Sequence, residues 1–182
     1  TEPSARYSAD SINVKAMSIK GSYSIEGVKL FVPDAHVADH IICVTRTGEE
    51  TGQGVTLFLV DNKSPGISRT LLTTIAGDKQ FEVLFNNVRV SPENILGNIG
   101  QGWQYIEDIL QKAAIAKCAE MVGGAQRVLE MAVNYTKQRK QFGQFIGSFQ
   151  AIQHHCANMA IDVDTSQLIT YEAAWKLSQG LE

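Results

Sequence analysis

A chain of 182 residues, 44% hydrophobic and 19% charged, carries enough apolar material for a buried core and is not a disordered segment. Its net charge of -3 argues against nucleic acid as the main ligand, because phosphate recognition needs clustered Lys and Arg. No run approaches the roughly 20 apolar residues of a membrane span, and three cysteines at wide spacing (Cys43, Cys118, Cys156) form neither a disulfide framework nor a zinc site.

Residues 1–97 read as β. Ile12-Asn13-Val14-Lys15-Ala16 alternates apolar and polar, as a half-buried strand should. Leu30-Phe31-Val32, Ile41-Ile42-Cys43-Val44, Val55-Thr56-Leu57-Phe58-Leu59-Val60 and Val83-Leu84-Phe85 are short runs rich in branched and aromatic residues. Turn signals separate them: Glu26-Gly27, Pro33-Asp34, Thr47-Gly48, Asp61-Asn62, Ser64-Pro65-Gly66 and Asn86-Asn87. With no helix-length pattern between the strands, the expectation is an antiparallel β-barrel or sandwich rather than βαβ units. His36 and His40 are four apart but lack a third ligand, so both are expected to be structural or exposed.

The grammar changes at residues 97–102. Gly97, Gly100 and Gly102 predict a domain-joining loop, since no G-x-G-x-x-G fingerprint and no Walker lysine accompanies them. Residues 98–182 then read as helix. Ile106, Ile109, Leu110, Ala113 and Ala114, followed by Met121, Val122, Ala125, Val128, Leu129, Ala132 and Val133, keep to one face. Glu107 and Asp108 are expected to open this helix, where negative charge suits the dipole. Gly123-Gly124 predicts a kink or a close helix–helix contact. The helix is expected to end near Gln141-Phe142-Gly143.

Ser148 is the expected N-cap of a second helix, with Ile152, Cys156, Met159, Ala160 and Val163 on one side and Gly180 at its end. Each helix would be about 50 Å long. The fold class expected is therefore α+β: a β-barrel or sandwich domain followed by an antiparallel pair of long helices, part of a four-helix bundle. His154-His155-Cys156 is not a metal site, because adjacent helical residues point roughly 100° apart. Glu120 and Glu130 are expected to be ordinary helix carboxylates.

Four stretches, in order, resemble the acyl-CoA dehydrogenase family. Thr1-Glu2-Pro3 is similar to the start of its flavin-binding segment. Ile25-Glu26-Gly27-Val28-Lys29-Leu30-Phe31-Val32 resembles the hairpin that lays an aromatic residue beside the flavin. Phe85-Asn86-Asn87-Val88-Arg89-Val90-Ser91-Pro92-Glu93-Asn94-Ile95-Leu96-Gly97 resembles the exit into the helical domain. Tyr135-Thr136-Lys137-Gln138-Arg139-Lys140-Gln141-Phe142-Gly143, with Phe149-Gln150-Ala151-Ile152-Gln153, resembles the helix-loop-helix signature.

The resemblance implies a middle β-domain at 1–97 and the first part of a C-terminal helical domain at 98–182. It implies FAD as cofactor and α,β-dehydrogenation of an acyl-CoA thioester, in which a carboxylate base takes the α-proton and the β-hydrogen leaves as hydride to the flavin. It also implies a homotetramer or dimer, with electron-transfer flavoprotein or a similar acceptor as partner. The compartment implied is the cytoplasm in a bacterium or the mitochondrial matrix in a eukaryote, and the opening Thr1-Glu2-Pro3, lacking an initiator Met, is expected to follow a missing N-terminal part.

By position, Thr1 would contact the flavin ring, Phe31 would pack beside it and Pro33 would stand next to it. Arg139 would reach a dinucleotide diphosphate bound by a neighbouring subunit, a task suited to a planar, permanently charged donor. Gln141, Phe142 and Gln150 would line the adenine side. On the substrate side the matching positions are Tyr7, Gln111 and Ala114. No metal is implied.

The sequence also departs from the pattern. Ser4-Ala5-Arg6-Tyr7-Ser8 stands where the family has Gly-Ala-Gly-Ser-Asp. Phe31-Val32-Pro33 replaces Trp-Ile-Thr, and proline supplies neither hydroxyl nor N–H to the flavin. Ala113 and Ala114 occupy positions where some members carry the catalytic glutamate and a substrate-holding arginine. No catalytic base is identifiable; the more common one is expected beyond Glu182. A non-catalytic partner subunit, and a flavin oxidoreductase acting on a non-thioester substrate, are the alternatives.

Overall fold

The computed structural model describes residues 1–4, 6–47 and 54–181. The Gly48 half of the expected Thr47-Gly48 turn lies outside them. Two compact units are present, Thr1–Ile106 and Glu107–Glu182.

The first unit is a mixed sheet. Its strands are β1 (Lys15–Ile19), β2 (Ser22–Pro33), β3 (His40–Arg46), β4 (Val55–Asp61), β5 (Ile67–Leu72), β6 (Gln80–Val90) and β7 (Ile95–Leu96). They pair in the order β5-β6-β2-β1-β3-β4-β7. All neighbours are antiparallel except β1 and β3, which meet in parallel at Lys15 and Arg46 alone. At that weak seam the sheet turns over on itself. Tyr23 of β2 meets Phe58 of β4 at 5.1 Å between ring centroids, although two strands separate them in the sheet order. Val14, Ile25, Val83, Phe85 and Val88 share one buried cluster with Ile41, Cys43, Phe58 and Val60. The result is an open sandwich, with β5 and β7 as its edges.

Two expected turns are bulges inside long strands. Glu26-Gly27 lies within β2 and Asn86-Asn87 within β6. Ile25 pairs with Val88 and Gly27 with Phe85, so β6 holds one extra residue here. Asn87 takes it up at φ 53, a conformation Asn tolerates. The alternation therefore shifts by one, and Phe81, Val83 and Phe85 are followed by Val88 and Val90 as the buried set. Opposite the bulge, Gly27 has φ 139, and a Cβ there would stand 2.8 Å from Val14 Cγ2 and 3.0 Å from Val14 Cα.

The glycine loop ahead of the first helix docks on β4. Gly100 N donates to Thr56 Oγ1 at 2.9 Å and Gly102 N to the Val55 carbonyl at 2.7 Å. These amides are already engaged, as suits a joining loop.

Helix α1 (Trp103–Gln138) runs unbroken through Gly123-Gly124, and a Cβ on either glycine would meet nothing within 4 Å. The expected close contact is absent among the described residues. Starting at Trp103, the helix places Glu107 and Asp108 in its second turn instead of opening it. Asp108 there accepts an exposed (i, i+4) bond from Lys112 at 2.6 Å.

The helix, expected to end near Gln141-Phe142-Gly143, stops at Gln138, and β8 (Lys140–Gln141) and β9 (Gln144–Phe145) form a hairpin there. Its two central residues, Phe142 at φ 54 and Gly143 at φ 82, are both left-handed, the signature of a type I′ turn. Helix α2 (Gln150–Ser178) follows a short 3-10 turn, Ile146–Ser148. Ser148 is not the N-cap: its Oγ donates to the Phe145 carbonyl at 2.6 Å, and Phe149 takes the cap position. At the other end Gly180, φ 66, closes a Schellman motif in which Leu181 N donates to Lys176 O at 2.9 Å. Val163 is the one buried residue described in the two helices.

Gly27→Ala is expected to lower stability by about 2 kcal/mol or more through overlap with Val14, measured as the urea midpoint; an unchanged midpoint would contradict this packing. Cys43 is buried and its thiol is pushed up to about 12 by desolvation. The fold therefore holds this proton more tightly than the unfolded chain does. The associated stability is intact below the ordinary value of 9.0 and is lost as pH climbs towards 12. A thiol reagent at neutral pH should leave Cys43 unmodified until the protein unfolds.

Candidate functional site

Phe31 is the most unusual residue of the β unit. Lys29 pairs with Val83 and Val32 with Phe81, so β2 carries an extra residue between them. Phe31 occupies this bulge at φ 54 with 55% of its surface exposed. Left-handed backbone costs a non-glycine residue roughly 1–2 kcal/mol, and with more than half its surface exposed Phe31 offsets only part of that by burial. Strain of this kind at an exposed ring marks a group presented outwards. Pro33, also exposed, ends the same strand.

Thr1 lies directly against this strand. Leu30 N donates to the Thr1 carbonyl at 2.9 Å, and Thr1 Oγ1 donates to the Leu30 carbonyl at 3.1 Å. The next residue, Glu2, is 4% exposed. Its Oε1 accepts from Lys29 Nζ at 2.6 Å and Val14 N at 3.3 Å, and its Oε2 accepts from Asn13 N at 2.7 Å. One buried carboxylate thus ties the opening segment to β2 and to the approach to β1.

The turn beyond Pro33 has its own buttress. Asn62, 3% exposed, donates to the carbonyls of Ala35 at 2.6 Å and Ala38 at 2.7 Å. Its side-chain oxygen accepts from Arg69 Nε at 2.9 Å, and Arg69 also bonds the Asn62 carbonyl. Arg46 reaches back to the carbonyls of Ile12 at 2.9 Å and Ala9 at 2.6 Å, holding the coil after Tyr7. Tyr7 itself is 69% exposed.

In the helical unit, Arg139, Gln141, Phe142 and Gln150 gather at the corner between α1 and α2. Arg139 accepts Ile146 N on its carbonyl at 2.9 Å, while its exposed side chain has no hydrogen-bond or ion-pair partner among the described residues. Phe142, 91% exposed, meets Phe149 edge-on at 6.2 Å. Lys140 Nζ lies 4.7 Å over the Phe145 ring, which steadies the hairpin. Gly147 lets the chain close on α1: a Cβ there would sit 3.0 Å from the Thr136 carbonyl.

Gln111, Ala113 and Ala114 are exposed on α1, 25 or more residues before Arg139, which along one helix is about 40 Å. The corner and these substrate-side positions are not brought together. Glu120 and Glu130 are exposed helix carboxylates paired with neighbours on their own helix. Hydrogen bonds from Lys117 and Arg127 respectively hold their carboxyls below the usual range, fully exposed. No group of three or more His, Cys, Asp or Glu suited to a metal occurs among the described residues. No helix among them is long and apolar enough to cross a membrane.

An open sandwich feeding a long helix, a corner hairpin and a second long helix is the fold of known dehydrogenases. Butyryl-CoA dehydrogenase from Megasphaera elsdenii superimposes with a TM-score of 0.91 at 30% identity, over 100% of this chain and 49% of that one. The solved structure of PigA with FAD and proline gives 0.92 at 29%, again over 100% and 49%. Among curated relatives, the 3-(aryl)acrylate reductase of Clostridium sporogenes is 34% identical over 99% of this chain and 49% of its own length. The family model for the acyl-CoA dehydrogenase middle domain matches residues 1–88, and that for the C-terminal domain matches residues 100–182. The chain belongs to the acyl-CoA dehydrogenase family. It spans about half the length of the relatives it matches.

Thr1, Phe31 and the Arg139 corner were singled out from the sequence, whereas the buried polar ties made by Glu2, Lys29, Asn62 and Arg69 were not. The one available signal was the lysine inside an apolar run, Val28-Lys29-Leu30. At the bulge, glycine should outperform alanine. Phe31→Gly is expected to be more stable than Phe31→Ala by about 1 kcal/mol, the reverse of an ordinary strand position. Thermal melts of the two variants decide it, and a more stable alanine would remove the strained-bulge argument.

Proposed function

We propose that the protein containing this chain is an FAD-dependent dehydrogenase that removes the α- and β-hydrogens of an acyl-CoA thioester. Residues 1–97 would serve as its middle β-domain and 98–182 as the start of its C-terminal helical domain. The observation that carries this reading is Phe31, held at a strained bulge and exposed beside an anchored Thr1, in a chain of this family.

The residues fit the cofactor by their chemistry. A planar ring system needs an exposed aromatic surface on a rigid strand, which Phe31 offers with Thr1 next to it. A diphosphate needs a planar cation with free donors, which Arg139 offers at an exposed corner, with Gln141, Phe142 and Gln150 around it for an adenine. PigA, similar over the whole chain, has been solved with FAD. FAD, when bound, supplies the hydride acceptor.

This chain's own share is binding and orientation. Pro33 presents neither hydroxyl nor N–H, so the flavin edge there receives no hydrogen bond from this residue. Ala113 and Ala114 cannot move a proton. The base is therefore sought on another segment of the protein. Tyr7, Gln111 and Ala114 are the positions assigned to the acyl-CoA side. The exposed apolar residues of α1 and α2, among them Met121, Val128, Leu168 and Trp175, support a homo-oligomer. Electron-transfer flavoprotein or a similar acceptor would complete the cycle.

A second reading has one observation in its favour. The similar 3-(aryl)acrylate reductase is named for an unsaturated acid rather than a thioester. The same fold would then act on a non-thioester carbon acid.

The purified full-length protein, supplied with FAD, should show a flavin band near about 450 nm, and acyl-CoA thioesters should bleach it. Lack of the band would defeat the proposal. A band bleached by free acids but by no thioester would select the second reading. Arg139→Ala should weaken FAD retention by about 10–150-fold, the loss of a charge-assisted contact of about 1.5–3 kcal/mol. Unchanged flavin content would remove that residue from the site.

A further inference from the structure

Glu2 and Lys29 stand 27 residues apart in sequence and 2.6 Å apart in space. Their side chains are 4% and 11% exposed. Glu2 immediately follows Thr1, and Lys29 lies two residues before Phe31 on the same strand. The carboxylate has three donors, Lys29 Nζ, Val14 N and Asn13 N, so its charge is compensated from two separate parts of the fold. Among the described residues, no buried side-chain polar atom lacks a partner.

Stability alone does not account for this pair. Two charges taken from water repay their desolvation only with excellent geometry, and well-packed apolar residues of similar volume commonly serve a fold as well or better. What apolar residues cannot supply is direction. An ammonium and a carboxylate hold one register, and here the register is that of residues 1–4 against the bulged strand. Leu30 N to Thr1 O at 2.9 Å is the adjacent rung of the same alignment.

We propose that Glu2 and Lys29 are positioning residues for the flavin ring: their buried ion pair locks the Thr1 segment onto the strand that presents Phe31, and neither residue touches the cofactor. The inference rests on the FAD reading above. It adds a role for two residues that hold the ring's contacts in place from behind.

The test uses the full-length holoprotein with four variants, Lys29→Met, Lys29→Arg, Glu2→Gln and the double variant Glu2→Gln/Lys29→Met. Three quantities are measured: the FAD dissociation constant, the visible spectrum of bound flavin, and the melting temperature of the apoprotein. Each single neutral variant leaves one buried charge unpaired and should melt about 5 °C or more below wild type. The double variant carries no buried charge and should regain most of that loss. Its FAD affinity should nonetheless stay down by about tenfold or more, with the flavin band shifted, because the register is no longer held. Lys29→Arg should recover affinity and spectrum.

A double variant with wild-type affinity and spectrum overturns the inference. So does FAD affinity that merely tracks melting temperature across the four variants, since a purely structural pair would behave that way. If a single variant fails to fold, the double variant carries the decision. Wild-type protein that takes up no FAD overturns the dehydrogenase proposal and this inference with it, whereas FAD-binding wild type with an indifferent double variant overturns this inference alone.

Discussion

A carboxylate and an ammonium ion shut away from water between β2 and the opening segment are the constraint on which the site-bearing end of the sandwich depends. Desolvating each ion costs several kcal/mol in a real protein, and only the full set of bonds offsets it. Glu2 therefore cannot leave its place without also stranding Lys29 and freeing the amides of Asn13 and Val14. Residues 1–4 form neither helix nor strand, so these bonds are what hold them. Pinned by Glu2, the segment lays Thr1 along Leu30, and the strand that receives it carries the bulge at Phe31. On the proposed reading, electrostatics, backbone register and ring presentation form one chain of cause along β2, an interior strand of the sheet.

Among the described residues, five non-glycine ones adopt left-handed backbone: Lys20, Phe31, Asp34, Asn87 and Phe142. They do not carry equal meaning. Asp34 and Asn87 are residue types that tolerate the conformation, and Lys20 sits in a two-residue hairpin turn with Gly21 behind it. Phe142 likewise opens a two-residue turn, with Gly143 behind it, so the hairpin accounts for it. Phe31 is different: it is a bulky aromatic, 55% exposed, in a strand bulge where neither residue preference nor turn geometry explains the cost.

The strands and helices were legible because hydrophobic period is a short-range signal. Val55-Thr56-Leu57-Phe58-Leu59-Val60 is apolar but for Thr56 and becomes β4, a strand flanked on both sides. Bulges were not legible: Gly27 and Asn86-Asn87 are the residue types that also make turns, and only pairing across the sheet separates the two outcomes. The β8–β9 hairpin was hidden because Lys140 and Gln141 are good helix formers, and a type I′ turn with phenylalanine first lacks the usual Asn-Gly mark. Ser148 looked like a cap because caps favour serine, yet a 3-10 turn took its hydroxyl first. The Glu2–Lys29 pair left only the lysine inside Val28-Lys29-Leu30 as a mark, since nothing local names a partner 27 residues earlier.

The helical unit shows the opposite balance of forces. Its helices are long, about 54 Å and 44 Å at 36 and 29 residues, yet Val163 is their single described buried side chain. Ion pairs along α1 such as Lys117–Glu120 are exposed and worth little. Helical stability in proteins comes mostly from packing an apolar face, and here Val128, Met131, Leu168 and Ile169 remain open. Helices of this kind are held by what covers them. The Arg139 corner is built on the last turn of one helix and the first of the other, so its geometry inherits that dependence. On the proposed reading, the grip of Arg139 on a dinucleotide held by a neighbouring subunit and the covering of these apolar faces are then a single equilibrium, whereas Thr1 is secured against β2 by charges buried within the sandwich.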